Sequence, residues 1–112
     1  MSGRRSRNKG KVGERECAKF LSELLGLDVK RGVQFQGGPD SPDVVGVPGI
    51  HVEVKRVESL RLLPALDQAR SDAGSESVPL VMWRKSHHDW VACVDATRLL
   101  DLARALMEIS PQ

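Results

Sequence analysis

Within "SPDVVGVPGIHVEVKR" (residues 41–56), Asp43 opens one short apolar run, and Glu53 and Lys55 alternate with the apolar residues of a second. Residues two apart on a strand point to the same side. Ile50, Val52 and Val54 therefore form one face, and His51, Glu53 and Lys55 the other. A tight turn at Pro48-Gly49 returns the first run against the second, which brings Asp43 toward Glu53 as a cross-strand neighbour. Carboxylates held together repel, and a hard divalent cation with oxygen ligands relieves that repulsion. A lysine beside them can orient an attacking water or stabilise charge developing on phosphorus. The combination suits metal-assisted hydrolysis of a phosphodiester.

Glu14 extends the set. Cys17, Ala18, Leu21 and Leu25 follow it at helical spacing, so it shares their apolar stripe, whereas Glu16 points elsewhere. A carboxylate on a core-facing stripe is costly unless it is paired or binds a cation. Each short motif is weak by itself, because composition alone yields about one acid-x-Lys triplet in such a chain. Asp28-Val29-Lys30 is a second triplet, and Asp40 repeats the Pro-Asp pair. Position separates these decoys: Asp40 lies in the turn-rich "GGPDS", and Lys30 precedes the hairpin with no acid following it on a second strand.

The elements that must hold these residues follow from periodicity. "KVGERECAKFLSELLG" predicts a helix from Lys11 to Leu25, with Gly26 as its left-handed cap. Val29, Val33 and Phe35 alternate as a strand, and "QGGPDSP" is a loop. Strands follow near Val44–Val47 and Ile50–Lys55. A helix from about Leu60 to Ala73 carries Pro64 near its start, where proline is tolerated. "PLVMWRK" is apolar on both faces, as in a buried strand. "WVACV" is its hairpin partner, and Asp95 caps a final amphipathic helix. The order αβββαββα predicts an α/β domain: a mixed central sheet flanked by helices, with the middle helix a right-handed crossover.

With 112 residues, 40% hydrophobic and 29% charged, the chain has the size and composition of one folded domain. It holds no apolar run of the roughly 20 residues that span a bilayer. No secretory signal follows the basic start. Cys17 and Cys93 lie in apolar segments rather than in a disulfide or metal framework. A cytoplasmic protein without membrane contact is expected. Arg4, Arg5, Arg7, Lys9 and Lys11 form a basic arm over residues 1–11, ahead of a single domain over 12–112. That domain sets 12 of the 17 basic residues against all 15 acidic ones. A basic arm on a mildly acidic body points to a polyanion partner. Arg56 and Arg61, just past Lys55, are also placed to hold phosphates.

"PD" at 42–43 and "EVK" at 53–55 resemble the motif of the PD-(D/E)xK nuclease superfamily. The opening "KGKVGERECAKFLSELLG" is similar to the first helix of its archaeal-type and phage Holliday junction resolvases. The resemblance covers about residues 9–94, and the short Asp-to-Glu hairpin is nearer the phage-type members. It implies a restriction-endonuclease-like fold and Mg²⁺ as cofactor, with Mn²⁺ expected to substitute. Glu14, Asp43 and Glu53 match the metal-binding acids and Lys55 the catalytic lysine. The Val54 carbonyl matches a further metal ligand, and Gln68 a glutamine near the site. The implied activity is paired, symmetric nicking of four-way DNA junctions by a homodimer in the cytoplasm, which for a phage-encoded member is that of the host. Another nuclease of the superfamily acting on duplex DNA, or a non-catalytic DNA-binding module, are the alternatives.

The remaining candidates read as ordinary structure. His51 is a neighbour of Glu53 rather than a base, His87 and His88 belong to a polar turn, and Trp83 and Trp90 to the core or an interface. With 4% aromatic residues, a base-stacking platform for single strands has little support.

Overall fold

The computed structural model describes residues 3–32 and 42–109, and side chains from Gly10 onward. The elements run α1 (Gly3–Leu25), β1 (Lys30–Arg31), β2 (Val44–Val45), β3 (Ile50–Arg56), α2 (Leu62–Ala73), β4 (Val78–Arg84), β5 (Val91–Cys93), a 3-10 turn (Ala96–Arg98) and α3 (Leu99–Met107). The strands form one mixed α/β sheet in the order β1-β2-β3-β4-β5. Among the described residues only β3 and β4 are parallel, in register from Ile50↔Val78 to Arg56↔Arg84. A parallel pair needs a crossover, and α2 supplies it.

Alternation on β3 sorts the residues to two layers. Val52 and Ile50 pack with Leu80 and Met82 of β4 and with Cys17, Ala18 and Leu21 of α1; α3 adds Leu102 and Ala105. On the other side Ala65, Leu66 and Ala69 of α2 cover Val81. β4 is thus apolar on both faces because helices cover both. Pro64 falls in the first turn of α2, where a missing N–H costs nothing.

Several expectations change in detail. The first helix starts at Gly3, so the basic stretch continues α1 rather than preceding it. Its end is as expected, with Gly26 at φ 69°. The first strand leaves the ladder after Arg31; Val33 and Phe35 lie outside the described residues, as does Asp40. Gly32 is required at that exit, since a Cβ there would lie 2.3 Å from the Pro42 carbonyl oxygen. Asp95 caps the 3-10 turn ahead of α3, accepting from Thr97 N–H at 3.1 Å. No residue of α3 is fully buried. Between α1, α3 and the sheet runs an apolar cavity of about 260 Å³, lined by Phe20, Leu24, Trp90, Leu102 and Leu106 among others. Cys17 and Cys93 are free thiols. Among the described residues no helix is long and apolar enough to cross a membrane.

Candidate active site

The site lies where the short β2 begins beside the middle of β3. Val44 pairs with Val52, which sets Asp43 next to Glu53 across the strands. The Asp43 main chain holds that register: its N–H donates to Val52 O at 2.9 Å, and its carbonyl accepts from Gly32 N–H at 2.8 Å. Its side chain then turns back along β3, where Oδ2 accepts from Val54 N–H at 2.8 Å.

Glu14 arrives from the helix on the opposite face. α1 crosses β3 closely at Gly13, where a Cβ would stand 2.7 Å from the Arg56 Cβ. That close approach lowers the adjacent Glu14 toward Asp43. Burial raises the Glu14 carboxyl above its ordinary range, with the Asp43 charge adding to the shift and the Arg31 guanidinium opposing it. The Arg31 Nε–Glu14 Oε1 distance is 2.8 Å.

Glu53 is 8% exposed. Burial, then Asp43, push its carboxyl up to about 9; Asp72 adds in the same sense and Lys55 opposes it. Its Oε1 lies 2.8 Å from His51 Nε2. The ligand atoms of His51, Glu53 and Asp72 all lie within 4.8 Å of one another. Contacts therefore run continuously from Arg31 through Glu14, Asp43 and Glu53 to His51 and Asp72.

Glu14, Asp43 and Glu53 thus meet as the sequence reading expected. The donor set is all oxygen, and burial together with the neighbouring Asp43 charge makes Glu14 and Glu53 hold their protons more tightly than usual. A hard divalent cation answers both conditions, so these residues fit Mg²⁺. Lys55, one step along the same face, opens into a cleft lined also by Arg61, Pro64 and Gln68. That cleft unites Lys55, Gln68 and Arg61 beside the acids. The Val54 peptide is tied to Asp43 through its N–H.

Other candidates are placed differently. The Arg56 guanidinium is engaged within the chain: Nε lies 3.5 Å from Glu16 Oε1 and a terminal nitrogen 3.6 Å from Glu58 Oε2. Arg84 also pairs with Glu16. Lys11 is exposed, while the side chains of Arg4, Arg5, Arg7 and Lys9 lie outside the described residues. Trp83 donates to Val57 O at 2.9 Å, a structural bond. His87 takes a turn conformation at φ 65°. Sequence reasoning assigned nothing to Arg31 or Asp72 and made His51 a bystander. The parity of His51 with Glu53 was the available signal for one of them.

No family model, curated protein or solved structure matches the chain.

Proposed function

We propose that this chain is a Mg²⁺-dependent DNA endonuclease of the PD-(D/E)xK type, with a restriction-endonuclease-like fold, that resolves four-way junctions. The observation that carries the reading is the meeting of Glu14, Asp43 and Glu53 from three separate elements, with Lys55 beside them at the mouth of an open cleft. A structural role explains such crowding poorly, because like charges in a partly buried site destabilise the fold.

The acids would hold the cation, with the Val54 carbonyl as a further donor. When bound, Mg²⁺ polarises the phosphate and lowers the pKa of an attacking water. Lys55, on the same strand face as Glu53 and lining the cleft, would stabilise charge on the phosphoryl oxygens. Arg61 and Gln68 grip the flanking backbone along the cleft. Arg4, Arg5, Arg7, Lys9 and Lys11, carried on the start of α1, add phosphate contacts that position without reading sequence. Two matched cuts need two sites, and a twofold dimer supplies them.

The test incubates end-labelled four-way junction and matched linear duplex with protein and Mg²⁺, with Asp43→Asn as control. Paired symmetric nicks in the junction alone, lost in the variant, support the reading. Equal cutting of both DNAs keeps the nuclease and removes the resolvase. Binding without cutting in Mg²⁺ or Mn²⁺ leaves a DNA-binding module.

A further inference from the structure

We propose that His51 is a positioning residue, which fixes the orientation of the Glu53 carboxylate for cation binding; this rests on the metal-site reading above. His51 is 6% exposed, and its Nε2 meets Glu53 Oε1 at 2.8 Å inside the layer covered by α2. Both residues lie on one rigid strand, two positions apart, so the imidazole reaches the carboxylate without help from a mobile loop. With Glu53 ionised, Nε2 carries the hydrogen and donates. One carboxylate oxygen is then held, and the plane of the group is set. Outer hydrogen bonds of this kind orient ligands, and losing one weakens metal binding by about 10–100-fold. Asp72, in the last turn of α2, lies within 4.8 Å of the pair, which raises a rival role for the three residues as cation ligands themselves. The bond already joining His51 to Glu53 favours positioning.

Metal-free wild type, His51→Leu, His51→Asn, His51→Gln and Asp72→Asn are titrated with Mg²⁺ by calorimetry. Junction cleavage is followed against Mg²⁺ concentration, and thermal stability is measured alongside. His51→Leu is expected to weaken Mg²⁺ binding by about 10–100-fold and to move half-saturation of cleavage by the same factor. Cleavage at saturating Mg²⁺ is largely kept. His51→Asn, which stays polar but is too short to reach Glu53, behaves alike if the leucine variant does not fold. His51→Gln, whose amide can occupy the place of Nε2, restores most of the affinity, and Asp72→Asn leaves it nearly unchanged.

Wild-type affinity in the leucine or asparagine variant overturns the proposal. So does a glutamine variant no better than leucine. Loss of one bound cation in both His51→Leu and Asp72→Asn also overturns it, making these residues ligands. If the wild type itself binds no Mg²⁺, the metal-site reading falls and takes this inference with it. Wild-type binding with an indifferent His51 series removes this inference alone.

Discussion

Val54 N–H donates to Asp43 Oδ2 at 2.8 Å where the pairing of β2 with β3 runs out. A backbone group that would otherwise need water is satisfied by the acid, and the acid is held against Glu53. One bond thus closes the end of the β2–β3 ladder and fixes the acid beside Glu53. The cost is the Asp43 charge beside two carboxyls that it pushes upward.

Asp43→Asn separates those two effects. The amide oxygen still accepts from Val54 N–H while the charge is gone. Mg²⁺-dependent cleavage falls by about 10³-fold, the loss of several kcal/mol of charge stabilisation. The metal-free protein, relieved of repulsion, melts higher than wild type. A variant that loses activity and melts lower would show that the bond, rather than the charge, was the main contribution.

Stability should depend on pH in an unusual sense. Glu53 is raised from 4.5 to about 9 in the fold, so between those values the folded chain holds a proton that the unfolded chain has lost. Its contribution is complete below about pH 4.5 and disappears as pH rises through 9. Glu14 adds in the same direction. Metal-free protein is expected to melt several degrees lower at pH 9 than at pH 5.5, at roughly 5 °C per kcal/mol for a domain of this size. Mg²⁺ stabilisation runs oppositely and grows with pH, because binding releases the proton. A melting temperature independent of pH would remove the crowded-acid description.

Gly13→Ala tests the approach of α1. Alanine normally favours a helix by about 1 kcal/mol over glycine. Here its Cβ would stand 2.7 Å from the Arg56 Cβ, near the backbone rather than at a flexible tip. Overpacking of this kind costs about 1–3 kcal/mol, and the displaced helix carries Glu14 with it. Denaturant titration should show net destabilisation, with cleavage lost more steeply than stability. A stabilised, active variant would contradict the close crossing.

Lys55→Met is expected to lower cleavage at saturating Mg²⁺ by about 10²–10³-fold while calorimetric Mg²⁺ affinity stays equal or rises. Equal losses in both would make Lys55 a partner of the acids rather than of the phosphate.

Replacing Arg4, Arg5, Arg7, Lys9 and Lys11 by glutamine measures the basic stretch. If all five neutralise phosphates, the slope of log affinity against log salt changes by about 4.5, or roughly 500-fold between 50 and 200 mM salt. An unchanged slope makes them bystanders.

Which acids lie near one another was legible in local patterns, for a physical reason. Asp43 and Glu53 meet through a short hairpin whose turn and alternation are both local, and Glu14 follows from the stripe of Cys17, Ala18 and Leu21. What stayed hidden depends on packing between distant elements. Arg31 reaches Glu14 only because β1 runs beside α1, and Asp72 reaches His51 only once the crossover is closed. Arg56 looked available for DNA because nothing local shows Glu16 pairing with it. α3 was readable as amphipathic, but its apolar side covers the sheet only in part, leaving Leu100 and Met107 exposed.

The crossover helix has a mechanical consequence. Gln68, facing the Lys55 cleft, and Asp72, beside His51 and Glu53, stand one turn apart on α2. A helix this short moves as a rod, so any tilt that displaces Gln68 also moves Asp72 against the imidazole. On the proposed nuclease reading, the cleft and the acids would thus share one lever, so that a substrate seated at the Gln68 end would also shift the end beside Glu53.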